Sequence, residues 1–149
     1  MRLRTAEPKD LEVLIPLMRE FSEEVLAPLS LSHIRQALEP LLNEPVIGDV
    51  WVAEDDEIVG YLVITWGWGI ESGGKEALID EIFVSPDYRN QGLASALVTA
   101  SLDRARDLGT KAVFLETEVD NPNSRTLYER LGFTTESSVW MRALLKADD

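Results

Sequence analysis

Apolar residues at Leu11, Leu14, Ile15 and Met18 follow the three- and four-residue spacing of one helix face, with polar residues turned away between them. Asp10 stands before the stripe as an N-cap, which predicts a helix from there to about Val25. A second stripe, Ile34, Leu38, Leu41 and Leu42, predicts a helix opening near Ser30 or Ser32, broken or bent at Pro40 and ended by Pro45. Leu3 to Thr5, ahead of both, reads as a short strand.

The pattern then changes period. Val50 to Glu54 and Ile58 to Trp66 are β-branched and aromatic runs joined by the acidic turn Asp55-Asp56-Glu57, which reads as a hairpin. Glu71-Ser72-Gly73-Gly74-Lys75 leads into a third run, Ala77 to Val84, giving an antiparallel meander. From Gln91 to Leu108 helical spacing returns at Ala94, Leu97, Val98, Ser101, Leu102, Ala105 and Leu108, and Gly109 supplies the stop. Ala112 to Val119 reads as a strand, Ser124 to Leu131 as a short helix closed by Gly132, and Phe133 to Leu144 as a region of final strand. A strand, a helix and a strand through residues 77 to 119 require a crossover and a parallel pair. The pattern therefore predicts an α/β fold with a mixed sheet.

With 149 residues, no internal repeat and no Pro/Gly/Ser-rich linker, one domain over 1–149 is expected. At 45% hydrophobic residues the chain can build a core without disulfides. Cysteine is absent, which excludes a thiolate nucleophile and Cys-ligated zinc, and His33 is the only histidine, so no metal is expected. The start lacks the apolar stretch of a signal peptide and no run approaches the ~20 apolar residues that span a bilayer, so a cytoplasmic protein with no membrane partner is expected. A net charge of -13 argues against nucleic acid and is compatible with a cationic substrate, although acidic residues spread along a chain also serve solubility alone. Oligomeric state is not legible, and the pattern is compatible with a homodimer.

Two segments carry chemistry. Arg89-Asn90-Gln91-Gly92-Leu93-Ala94 lies between a strand and the clearest helix. Its small residues let backbone amides approach an anion at a helix N-terminus, as a diphosphate cradle requires. The second segment runs from Asn121 through Ser124, Tyr128 and Leu131 to Gly132 and Phe133. Tyr128 alone would read as a core aromatic with its hydroxyl at the rim. Its order behind the first segment, separated by one helix and one strand, points instead to a site.

Asp80 to Ala94 resembles the cofactor-binding segment of the GNAT superfamily of N-acetyltransferases, and Asn121 to Phe133 resembles that superfamily's C-terminal signature. The resemblance implies a mixed β-sheet of six to seven strands flanked by about four helices, with acetyl-coenzyme A as acetyl donor. It implies that Phe83 and Val84 offer backbone groups to pantetheine where parallel strands splay, and that Arg89, Asn90, Gln91, Gly92, Leu93, Ala94 and Ser95 hold the diphosphate. Asn121 and Ser124 match positions facing the cofactor, and Tyr128 matches the residue that protonates the departing thiolate. Ala94 stands where many members carry glycine, a change of one methyl group.

An alkylamine acceptor is mostly protonated at neutral pH, with an ordinary pKa near ~10.4 for a lysine side chain, so transfer to it needs a carboxylate or a water to take a proton. Glu81 is the first candidate, three residues before the end of the strand resembling the family's cofactor strand. Asp80 beside it must point to the opposite sheet face. Glu116 is the second candidate, since its spacing of five residues before Asn121 resembles the base position in members acting on protein N-termini. The expected activity is direct transfer of acetyl to a primary amine, of a small molecule or a peptide or protein, through a ternary complex. The alternative is a non-catalytic acyl-coenzyme A sensor, which would leave Tyr128 and both carboxylates without a task. His33, the Trp66 and Trp68 pair, and Glu20, Glu23 and Glu24 read more simply as surface or packing residues.

Overall fold

The computed structural model describes residues 1–117 and 122–146 and consists of two units, Met1–Glu116 and Thr117–Asp149. In the first, β1 (Arg2–Thr5), β2 (Gly48–Asp55), β3 (Glu57–Gly69), β4 (Gly74–Val84) and β5 (Ala112–Leu115) form one sheet in sequence order. β1 to β4 pair antiparallel, and β5 joins β4 in parallel. The crossover helix α3 (Leu93–Asp107) makes that last pairing possible by returning the chain to the end of the sheet where β4 began.

Two helices precede the sheet, α1 (Leu11–Glu24) and α2 (Leu31–Asn43). Their apolar stripes meet one sheet face: Leu14, Ile15 and Met18 of α1 and Ile34 and Leu38 of α2 are buried with Val50, Val52, Ile58, Tyr61, Val63 and Phe83. α3 contacts β2, β3 and β4, and its Leu97 and Val98 are fully buried. Covered on both faces, β3 is buried without interruption from Ile58 to Ile64, which is why that stretch is a continuous apolar run in the sequence.

Strict alternation fails at two places. The β2–β3 register shifts between Ala53 and Glu54, leaving Val59 as an extra residue, and the β3–β4 register shifts between Val63 and Ile64. Val63 opposes Glu81 and Ile64 opposes Ile79, so Asp80 is an extra residue in β4.

Asp10 occupies the N-cap position of α1 but makes no capping bond. Its carboxylate accepts instead from the Arg4 guanidinium at 2.8 and 3.0 Å and from the Glu7 backbone N–H at 2.8 Å. Arg4 also donates to Glu54 at 3.0 Å, so one guanidinium joins β1, β2 and the turn into α1. α2 opens at Ser30, whose hydroxyl accepts from the His33 N–H at 3.1 Å. Of the break or bend expected at Pro40, a break is absent: the helix runs on to Asn43, and the Glu44 N–H bonds the Pro40 carbonyl at 2.9 Å. A proline forfeits one ladder bond, and Leu41 and Leu42 beyond it still pack against the core.

In the second unit α4 (Pro122–Arg130) is followed by Gly132, whose φ of 102° is a conformation that favours glycine. The expectation of six to seven strands is not met. Five strands and four α-helices are present among the described residues, and 133–145, which contains the expected final strand, forms none. Its apolar residues Val139, Trp140 and Met141 are consecutive and exposed, so the stretch lacks the two-residue period of a half-buried strand. β5 ends at Leu115, and Val119, the expected strand end, lies outside the described residues. No helix among the described residues is long and apolar enough to cross a membrane.

Just past α1, Leu26 holds a left-handed φ of 59° while 89% exposed. That backbone costs a β-carbon-bearing residue about 1 kcal/mol, and the side chain recovers little by burial. Leu26→Gly is therefore expected to stabilise the fold by about 0.5–1 kcal/mol, a rise of roughly 2–4 °C in Tm by thermal denaturation. A lower Tm would mean that Leu26 makes stabilising contacts outweighing its backbone strain.

Candidate active site

The bulge at Asp80 determines what the C-terminal half of β4 presents to each side. If the register at Ile64 and Ile79 continued regularly, Asp80 would oppose Val63 and Glu81 would oppose Leu62, on the α3 side. The extra residue shifts both by one, so that Glu81 opposes Val63, Phe83 opposes Tyr61, and Glu81 lies on the face that packs against α1 and α2. There the Tyr61 hydroxyl donates to Glu81 Oε1 at 2.8 Å. Burial, opposed by the Tyr61 bond and assisted by the charge of Asp80, pushes the Glu81 carboxyl up to about 7. Asp80, the extra residue itself, lies close enough in β4 for its charge to act on Glu81 and on Tyr61.

Below Asp80, β4 pairs with β5 from Glu76↔Ala112 to Ile79↔Leu115. From Glu81 to Val84, among the described residues, β4 has a ladder partner only on the β3 side. Phe83 is buried, its ring 5.8 Å from Tyr61 and 6.3 Å from Phe21 of α1. The chain turns through Pro86–Tyr88 and reaches α3 by way of Asn90 and Gly92, both left-handed with φ of 63° and 80°. Gly92 is the N-cap of α3, and no side chain caps the helix. A β-carbon built on Gly92 would meet nothing within 4 Å, so the glycine is required for its backbone angle, and the space above it is open. Uncapped N–H groups at Leu93, Ala94 and Ser95, behind two left-handed residues, form the kind of concave, partly positive surface that accepts an anion. This geometry fits the phosphates of a nucleotide.

Arg89 is committed elsewhere. Its Nε donates to the Val84 carbonyl at 2.7 Å, its Nη2 donates to both oxygens of Glu24 at 2.8 and 2.7 Å, and its guanidinium carbon lies 5.6 Å from the centre of the Phe83 ring. The arginine thus ties the end of β4 to the C-terminal end of α1. The Gln91 side chain reaches back to the Asp87 carbonyl at 3.5 Å.

Glu116 is exposed, one residue beyond β5. In the second unit Tyr128 is half-buried on α4, its ring edge-on to Phe133 at 6.0 Å, and burial pushes its phenol up. Its backbone carbonyl accepts from the N–H groups of Leu131 and Phe133 at 3.0 Å each, which fixes the end of the helix around it. Ser124 lies on the same helix, and Asn121 lies outside the described residues. His33 is exposed on α2, Trp66 is bound to the Pro45 carbonyl and covered by Lys75, and Trp68 is exposed. Sequence reading missed Tyr61, and it took Glu24 for a solvated helix-face residue without its Arg89 partner. The signal for Tyr61 was available, since a phenol inside an all-apolar buried run must find an acceptor. For Glu24 there was none, its partner being 65 residues away.

The model of the acetyltransferase (GNAT) family matches residues 14–133. The chain is 34% identical over 87 residues to the uncharacterized N-acetyltransferase MJ1207 of Methanocaldococcus jannaschii, a match spanning 56% of this chain and 38% of that protein. It is 25% identical over 137 residues to the uncharacterized N-acetyltransferase YhfO of Bacillus subtilis, 92% of each. Among solved structures, the integron cassette protein HFX_CASS3 from the mobile metagenome of Cole Harbour Salt Marsh superposes with a TM-score of 0.87 at 33% identity, covering 98% of this chain and 91% of that one.

A carboxyl ordinarily near 4.5 and raised to about 7 in the fold binds more protons in the native state than in the unfolded chain. Its contribution to stability is therefore lost as pH rises through that interval. Glu81→Gln cannot ionise, so relative to wild type its Tm is expected to gain between pH 5 and pH 8. Parallel Tm–pH curves for the two proteins would show that Glu81 titrates as an ordinary carboxylate.

Proposed function

Since the chain belongs to the GNAT family of acetyltransferases, we propose that it transfers an acetyl group from acetyl-coenzyme A directly to a primary amine within a ternary complex. The observation that carries this reading is the bond from the Tyr61 hydroxyl to Glu81 on β4, the strand whose following loop opens into the uncapped N-terminus of α3, with burial pushing that carboxyl up. In this reading the backbone N–H groups from Asn90 to Ser95 hold the diphosphate, and Phe83 and Val84 meet the pantetheine along the side of β4 away from β3. Arg89 serves chiefly to fix the loop, by its bonds to Val84 and Glu24. Asn121 and Ser124 complete the cofactor contacts.

Glu81 takes a proton from the acceptor ammonium, directly or through a water. A base titrating near working pH is half ionised there, while its conjugate acid is still strong enough to release the proton again, the compromise that favours general-base catalysis. Glu116, exposed and beyond the sheet, is the second choice. The free amine attacks the thioester carbonyl, and a backbone N–H near Phe83 or Val84 stabilises the oxyanion, a donor typically worth ~10²–10³ in rate. As the C–S bond breaks, Tyr128 gives its proton to the leaving thiolate, whose conjugate acid titrates near ~8.5, and the second proton lost by the acylated nitrogen restores the phenol. Burial keeps that phenol protonated at neutral pH. The acceptor is the amine of a small molecule or of a peptide or protein.

Acetyl-coenzyme A at 100 Kd is expected to stabilise the protein by ~2.7 kcal/mol, read as a rise in Tm. Gly92→Val, which places a β-branched residue at a φ of 80°, should abolish that rise. A rise of wild-type size in the variant would put the phosphates elsewhere.

Tyr128→Phe keeps the ring against Phe133 and removes the proton donor, so kcat should fall by about 10²-fold with the acetyl-coenzyme A Tm shift retained. Glu81→Gln should remove the acidic limb of the pH–rate profile. If Glu116→Gln removes it instead, the base is Glu116; undiminished kcat in Tyr128→Phe, with transfer rate-limiting, would return Tyr128 to a packing role.

A further inference from the structure

Tyr61 is fully buried in the middle of β3, and its hydroxyl has one carboxylate partner, Glu81. We propose that Tyr61 is a positioning residue for this reaction, holding the Glu81 carboxylate on the α1 side of the sheet and favouring its ionised form. The proposal rests on the reading of Glu81 as the base and extends it to a residue outside the family-like segments.

Three observations support it. The ring is fixed from two sides, by Phe21 of α1 at 6.5 Å and by Phe83 of β4 at 5.8 Å, both between centroids. Its hydroxyl therefore has a defined position and cannot follow a carboxylate that turns away. The register places Glu81 diagonally next to Tyr61 on one face, a relation that exists only because Asp80 is extra. Finally, the charged groups acting on this hydroxyl are all acidic: Glu81 and Asp80 from β4 and Glu24 from α1. Burial and these charges hold the phenol protonated far above neutral pH, so Tyr61 acts as a donor throughout the working range.

The consequence for Glu81 has a definite sign. Burial and the charge of Asp80 favour its protonated form, whereas the Tyr61 hydrogen bond favours the carboxylate. Glu24, the third acidic group, is itself paired with Arg89. Removing the Tyr61 hydroxyl leaves only the influences that oppose ionisation.

Tyr61→Phe keeps the packed ring. It is expected to move the acidic limb of the kcat/KM profile for the amine up by roughly one pH unit, which is about tenfold lower activity near pH 6. The alkaline plateau and the KM for acetyl-coenzyme A should change little. The titration of the Glu81 carboxyl carbon, followed by NMR and assigned by its loss in Glu81→Gln, should move by the same amount. Glu81→Asp, one methylene shorter and drawn away from the hydroxyl, provides a second variant that leaves Tyr61 in place. It should also raise the limb, and adding Tyr61→Phe to it should raise the limb little further, because the shared bond is already lost. A Glu81 titration unmoved by Tyr61→Phe, or full additivity of the two changes, would overturn the proposal. An acidic limb that survives in Glu81→Gln would instead overturn the assignment of the base, and with it the kinetic role of Tyr61, whatever the NMR titration shows.

Discussion

Between Ile79 and Glu81, β4 carries one residue more than β3 can pair, and every side chain beyond that point changes face. Because the side-chain period of a strand is two, a single extra residue exchanges its buried and functional sets. With it, Phe83 completes the core under α1, and Glu81 comes to Tyr61. Without it, Glu81 would be turned toward α3, and the aromatic cluster of Phe21, Tyr61 and Phe83 would lack its third ring.

The same extra residue places a carboxyl where folding alone would not. Burial of Glu81 works against its ionisation, and Asp80 adds to that opposition. Two features limit the cost. Tyr61 supplies a hydrogen bond from a rigid ring, and the carboxyl can remain protonated below about pH 7. A group matched in this way to neutral pH is the kind of departure from optimal stability that catalytic sites display.

Beyond Val84 the organisation depends on backbone shape. Asn90 and Gly92 bend the chain into the start of α3, and the helix is left uncapped where a side-chain oxygen could have satisfied it. The loop is steadied from outside by Arg89, which spans the Val84 carbonyl, the Phe83 ring and Glu24 of α1. The ion pair alone is exposed and worth little. Its value lies in joining one helix end, one strand end and the loop through a single planar group, with the hydrogen bonds fixing its orientation.

Periodicity in the sequence was enough to place α1, α2, α3 and the meander of β2, β3 and β4, because each buries a stripe or a continuous run that only one local geometry can produce. The parallel β4–β5 pair followed from the intervening helix. The adjacent polar residues Asp80 and Glu81 interrupt a buried strand and are the visible trace of the bulge, yet the pattern does not say which of the two is unpaired. That depends on the partner strand, a contact some 20 residues distant, as does the bond from Tyr61. The uninterrupted course of α2 through Pro40 likewise reflects packing against the sheet overriding local propensity. Local periods fixed the elements because each is a property of a few consecutive residues; register, face and the perturbed carboxyl were decided by tertiary structure, because each is set by the segment on the other side of the contact.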